Sequence, residues 1–162
     1  MSDLQRVRAW ADALISLHLD ESWTFGFDNA KRRAGQCDYT RKRITLSRYL
    51  AARHEDDDNH QTLLHEVAHA LAGHAAGHGP AWKKTALELG YVGGTTHRLE
   101  TATELAPWVG RCPAGHVVYR HRRPAHEMSC ARCCRSFDRR FLLRWTRREI
   151  SAATRRAATT PR

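Results

Sequence analysis

The stretch from Leu64 to Trp82, Leu-His-Glu-Val-Ala-His-Ala-Leu-Ala-Gly-His-Ala-Ala-Gly-His-Gly-Pro-Ala-Trp, constrains this chain most, because it reads as a helix that ends at a glycine and turns into a second helix. Leu64, Val67, Ala68, Leu71, Ala72 and Ala75 recur at i, i+3, i+4, i+7, i+8 and i+11, the period of an amphipathic helix with one buried stripe. Residues four apart on such a helix lie one turn above each other, so His65 and His69 can aim their rings at one point. With Glu66 beside them they form His-Glu-x-x-His, in which two histidines bind zinc and the carboxylate acts as general base on water. That chemistry points to a zinc hydrolase.

A catalytic zinc needs a third protein ligand and an open fourth position. His74 is five residues past His69, so at about 100° per residue it points away from both histidines if the helix continues. His78 is better placed. Gly73 and Gly77 let the chain leave the helix and turn back, and Gly79-Pro80 opens a new helix with proline in its first turn. That helix, Ala81 to Leu89 with Gly90 as its stop, is expected to pack Trp82 and Leu87 beneath the site.

The run His65-Glu66-Val67-Ala68-His69, followed by Gly77-His78-Gly79-Pro80-Ala81-Trp82-Lys83, resembles the SprT-like family, to which the Spartan DNA-protein crosslink proteases belong. Upstream, Trp23-Thr24-Phe25-Gly26-Phe27, then Lys31 to Tyr39 and Ile44-Thr45-Leu46-Ser47, look like that family's sheet ahead of the metal helix. The resemblance implies metal ligands at His65, His69 and His78, a catalytic glutamate at Glu66, and protein attached to DNA as substrate. With the cysteine-rich module below, it spans about residues 20 to 140.

That second constellation is Cys112-Pro113-Ala114-Gly115-His116 and Cys130-Ala131-Arg132-Cys133-Cys134. Two short pairs separated by a loop have the spacing of a structural zinc ribbon, closed by Cys112, His116, Cys130 and Cys133. SprT-like proteins often carry such a ribbon after the protease domain, usually with cysteines in both knuckles. His116 stands one position late for the fourth cysteine, and Cys134, His121 and His126 are the substitutes for it. Two zinc ions are therefore expected, one catalytic and one structural.

The charge is uneven. Residues 107 to 162 hold fourteen Arg and three acidic residues, a net +11, whereas residues 1 to 106 carry a net charge of −1. Arginine suits bidentate phosphate contact and stacking on bases, which makes DNA the expected partner, together with protein substrates bound to it. Arg120, Arg122 and Arg123 lie between the knuckles with Tyr119 as a stacking surface. Arg140, Arg144, Arg147 and Arg148 are expected on one face of a helix whose other side shows Phe141, Leu142 and Trp145. The alternative function is a DNA-binding zinc protein that does not cut.

The first residues carry charges every few positions and no run approaches about 18 apolar residues, so neither a signal peptide nor a membrane span is expected. Five cysteines without an export signal suggest a reducing cytoplasm, with nucleoid association in a bacterium; Cys37 then reads as a small buried side chain on a strand. Ser2 with Gln5 reads as a capping box opening a first helix, with the stripe Leu4, Val7, Ala11, Leu14 and Ile15 and an end near Leu19. Strands are expected around Trp23 to Phe27, Gln36 to Tyr39 and Ile44 to Leu46, then a short helix capped by Ser47. The acidic run Glu55 to Asp58 precedes the metal helix, where carboxylates suit a helix N-terminus.

The expected fold class is α+β: a small zincin-like metalloprotease domain, helices with a three-stranded antiparallel or mixed sheet, over residues 1–106, followed by a zinc-ribbon module over 107–140. Residues 141–162 read as a basic helix and a disordered tail from Ser151. Tyr91, His97 and Arg98 are the nearby candidates for stabilising an oxyanion.

Overall fold

A computed structural model describes residues 2–93 and 102–157. The chain divides into two compact units, Met1–Thr101 and Ala102–Ala157.

In the first unit, helix α1 (Leu4–His18) precedes strands β1 (Thr24–Asp28), β2 (Gly35–Asp38) and β3 (Arg43–Ser47), then helices α2 (Arg48–Ala51), α3 (Asp56–Ala72) and α4 (Pro80–Glu88). The sheet is mixed and ordered β1-β3-β2, with β3 parallel to β1 and antiparallel to β2. The stripe Val7, Ala11 and Ile15 of α1 packs with Phe25, Ile44 and Leu46 of the sheet and with Leu63 and Val67 of α3. Each of the larger of these side chains contributes about 1.5–3 kcal/mol when fully buried. Helix α3 is thereby clamped between α1 and the sheet on one side and α4 on the other.

Several local expectations shift. Asp3, not Ser2, caps α1, accepting from the Gln5 N–H at 2.9 Å. Ser2 turns inward instead, and its hydroxyl donates to the His54 carbonyl at 3.0 Å. The aspartates of the acidic run form the first turn of α3 rather than preceding it. Leu71 is 43% exposed because the buried band of α3 centres on Thr62–Ala68 and its last turn extends past that cover. Leu87 is 71% exposed; it lies about 140° around α4 from Trp82, and Ala86, four residues on, takes the inward place.

The second unit holds a three-stranded antiparallel sheet ordered β5-β4-β6, from β4 (Trp108–Arg111), β5 (Val117–Arg120) and β6 (Arg144–Arg147). The basic helix expected after Arg140 is corrected: residues 144–147 form β6, pairing Trp108 with Arg147 and Gly110 with Trp145. The reason is local. Gly110 leaves room for Trp145, whose six-membered ring would lie 2.9 Å from a Cβ added there, and strand pairing then wins over helical propensity. The tail expected to be disordered from Ser151 includes a short helix α5 (Ala152–Ala157), whose first turn Ser151 caps through the Thr154 N–H; residues 158–162 lie outside the described residues. Among the described residues, no helix is long and apolar enough to cross a membrane.

Asp28, at the end of β1, ties down the loop to β2. It accepts from the Ala30 N–H, the Thr45 hydroxyl and Arg33. Burial pushes its carboxyl up, but these donors outweigh burial and hold it below the usual carboxylate range. A depressed carboxyl contributes stability that is present above its unfolded pKa of about 4 and is lost as pH falls through the folded value. Asp28→Asn is expected to cost about 1–2 kcal/mol near neutral pH and to flatten the acid-side fall in stability, measured by denaturant unfolding across pH.

Candidate metal centres

Helix α3 supplies His65, Glu66 and His69 from one face, and the chain after it brings His78 back to them. Gly73 ends α3 at φ 83°, a single 3-10 turn follows at His74–Ala76, and Gly77 reverses the chain at φ 47° before α4 begins at Pro80. Both glycines sit in the left-handed region of φ that side chains resist. The outcome is a triangle of ring nitrogens: His65 Nε2 lies 3.2 Å from His69 Nε2 and 3.1 Å from His78 Nε2, and the latter two are 3.0 Å apart.

Three imidazole nitrogens this close fit one metal ion. Tetrahedral zinc with bonds of about 2.0–2.1 Å separates its nitrogens by roughly 3.3 Å, and a cation relieves the repulsion of lone pairs facing one another. Burial and the neighbouring His78 push His69 down to about 4, which favours the neutral form that ligates metal. Exposure rises from His65, which is buried, through His69 to His78, which is exposed, so the cluster opens towards solvent. His74 stays out of it and packs edge-on against Tyr39, with ring centres 5.1 Å apart.

Trp82 of α4 forms the floor. Its ring centre lies 4.7, 5.3 and 4.6 Å from those of His65, His69 and His78, and its indole N–H donates to the His65 carbonyl at 3.5 Å. Tyr91 is 3% exposed and its ring packs 5.4 Å from His65. Burial, and then the charge of Glu66, push its phenol up. His97 and Arg98, the other oxyanion candidates, lie outside the described residues.

Glu66 is 7% exposed. Burial pushes its carboxyl up to about 8, against the lowering effects of the Arg33 charge and of the Cys37 backbone N–H that donates to it. Strand β2 surrounds this group in a way the sequence does not announce. A Cβ added at Gly35 would lie 2.6 Å from Glu66 Oε1, and the Tyr39 hydroxyl donates to the His69 carbonyl at 3.1 Å. Gly35, Cys37 and Tyr39 recur with period two, which is the one trace of this face in the chain.

In the second unit, Cys112, His116, Cys130 and Cys133 converge. Cys112 Sγ is 3.6 Å from His116 Nδ1 and 3.8 Å from Cys133 Sγ, and His116 Nδ1 is 3.2 Å from Cys133 Sγ and 3.5 Å from Cys130 Sγ. Three of these separations match the roughly 3.5–3.8 Å edges of a tetrahedral zinc with three sulfurs and one nitrogen, and the His116–Cys133 edge is shorter. The extra residue before His116 is absorbed by Gly115, whose φ of 83° turns the chain so that the Cys112 N–H donates to the His116 carbonyl at 3.1 Å. Burial pushes the Cys130 thiol up, but the N–H groups of Cys133 and Arg132 outweigh it and hold it below the ordinary thiol range. Cys134 points away, to the Ser136 hydroxyl at 3.4 Å.

The arginines separate into two groups. Arg148 is half-buried and engaged within the unit: it donates to the carbonyls of Thr103, Glu104 and Ala106, each at 2.8 Å, and stacks over Tyr119. Arg120 and Arg147 flank Trp108 across the sheet, with Arg123 over its ring at 5.6 Å. Arg123, Arg139, Arg140, Arg144 and Trp145 line a groove of about 600 Å³, where Arg139 also pairs with Glu127 and Arg140 with Asp138. Arg122 is exposed in the loop between β5 and Cys130.

The SprT-like family model matches residues 5–104, more than half of the chain. No curated protein and no solved structure matches it.

Zinc content per chain checks both clusters. His78→Ala is expected to remove one equivalent and Cys130→Ser the other, whereas His74→Ala removes none. Cys130→Ser is also expected to unfold the second unit, since a structural zinc of this kind supplies on the order of 10 kcal/mol.

Proposed function

The chain belongs to the SprT-like family, and on that premise we propose that it is a zinc-dependent endopeptidase acting on proteins bound or crosslinked to DNA, held there by its second unit. The family is associated with metalloprotease activity, and the observation that carries the peptidase reading is the triangle of His65, His69 and His78 with Glu66 beside it.

A zinc ion in that triangle would supply Lewis-acid polarisation of a peptide carbonyl and lower the pKa of water to about 7. Glu66 takes the proton from the attacking water on its carboxylate and returns it to the leaving amide nitrogen. Arg33 and the Cys37 N–H act against burial and draw Glu66 towards the ionised form a base needs. Trp82 and the Tyr39 hydroxyl hold the carbonyls of His65 and His69, which fixes the turn of helix carrying the ligands. Extended substrate would add to an edge strand through main-chain hydrogen bonds, which selects little for sequence.

The DNA part of the reading is supported by charge and surface. Residues 102–157, the unit with the second metal cluster, hold thirteen Arg and four acidic residues, a net +9, and its groove combines arginines with an indole. Tethering on DNA would raise the local concentration of substrate for an otherwise unselective enzyme.

The expected result of incubating the zinc-loaded protein with a basic DNA-binding protein is fragments that require DNA and disappear in Glu66→Gln, whose rate should fall by about a hundredfold or more. DNA binding should weaken steeply as salt rises. DNA binding without fragments would favour a zinc protein that positions partners and does not cut; binding indifferent to salt would contradict phosphate contact.

A further inference from the structure

We propose that Gly35 is a positioning residue for Glu66: the missing side chain at this point of β2 is the space in which the carboxylate is seated, and the adjoining Cys37 N–H holds it there. The functional consequence rests on Glu66 acting as the base; the seat itself does not.

Side chains alternate along a strand, so Gly35 and Cys37 direct their Cβ positions to one side of β2. That side meets α3. A Cβ built on Gly35 would lie 2.6 Å from Glu66 Oε1, 2.8 Å from its Cγ and 3.0 Å from its Cδ. The collision therefore involves the middle of the side chain as well as its tip. Glu66 is only 7% exposed, so it has little room to swing away. Gly35 cannot retreat either, because it is paired with Leu46 of the central strand, as Cys37 is with Ile44, and Leu46 and Ile44 are core residues. One residue pair further on, the Tyr39 hydroxyl reaches the His69 carbonyl. Gly35, Cys37 and Tyr39 thus set the depth and rotation of α3 against the sheet, and Gly35 is the member that admits a carboxylate.

Two kinds of measurement test this in the full chain. In thermal unfolding, Gly35→Ala is expected to lower Tm by about 4–8 °C, and Glu66→Ala in the same chain should remove most of that loss, because the colliding side chain is gone. Should Gly35→Ala not fold, the double variant should. In peptide cleavage, Gly35→Ala is expected to lower kcat about a hundredfold while KM and zinc content stay within about twofold. Additive Tm losses, or a double variant that does not fold either, would overturn the seat; an unchanged kcat would overturn its role in positioning. A wild-type chain that cleaves nothing would instead overturn the peptidase reading, and the Tm cycle would still decide the seat.

Discussion

Three imidazole nitrogens held about 3 Å apart are the constraint on which the first unit turns. Such a cluster is repulsive unless a cation or a shared proton sits within it, so the fold must press the rings together from behind. It does so with hydrophobic packing at a distance and with hydrogen bonds close by. Val7, Ala11 and Ile15 of α1 and Ile44 and Leu46 of β3 bury one side of α3, while Trp82 and Ala86 of α4 bury the other. Trp82 and Tyr39 then take the carbonyls of the two helical histidines themselves. Burial supplies the rigidity, and the few polar contacts supply the aim.

The same arrangement leaves Glu66 nearly enclosed beside the histidines. A carboxylate in water is too acidic to hold a proton for later delivery, and one buried without partners stays protonated. Burial pushes the Glu66 carboxyl up, and the Arg33 charge and the Cys37 backbone N–H act against it. Arg33 is itself anchored by Asp28 at 2.5 Å, so the loop from β1 to β2 contributes charge to the site as well as connecting strands. The second unit uses the other strategy for a small structure: Cys112, Cys130 and Leu143 form a core too small to stand alone, and a metal would staple it.

Much of this is legible in the sequence, for identifiable reasons. Side chains four apart on one helix share a face, so the convergence of His65 and His69 is legible from their spacing, and the glycines at 73 and 77 announce the reversal that brings His78 to them. Alternation of large apolar residues marked β1 and β3. What escaped was tertiary. Leu71 and Leu87 match a helical stripe, but the chain does not say where cover ends. Residues 140–148 have a helical distribution of arginines, yet Trp145 packing on Gly110 makes part of them a strand, and Arg148 is consumed by backbone carbonyls. The seat of Glu66 escaped because its signal is a side chain that is absent.

The measurement that bears most directly on this account is an anomalous difference map from crystals of the zinc-loaded protein, recorded at the zinc absorption edge. The expected result is a peak about 2.0–2.1 Å from Nε2 of each of His65, His69 and His78, with Glu66 beside it. A metal bound through His74 in place of His78, or no peak within the triangle, would contradict it.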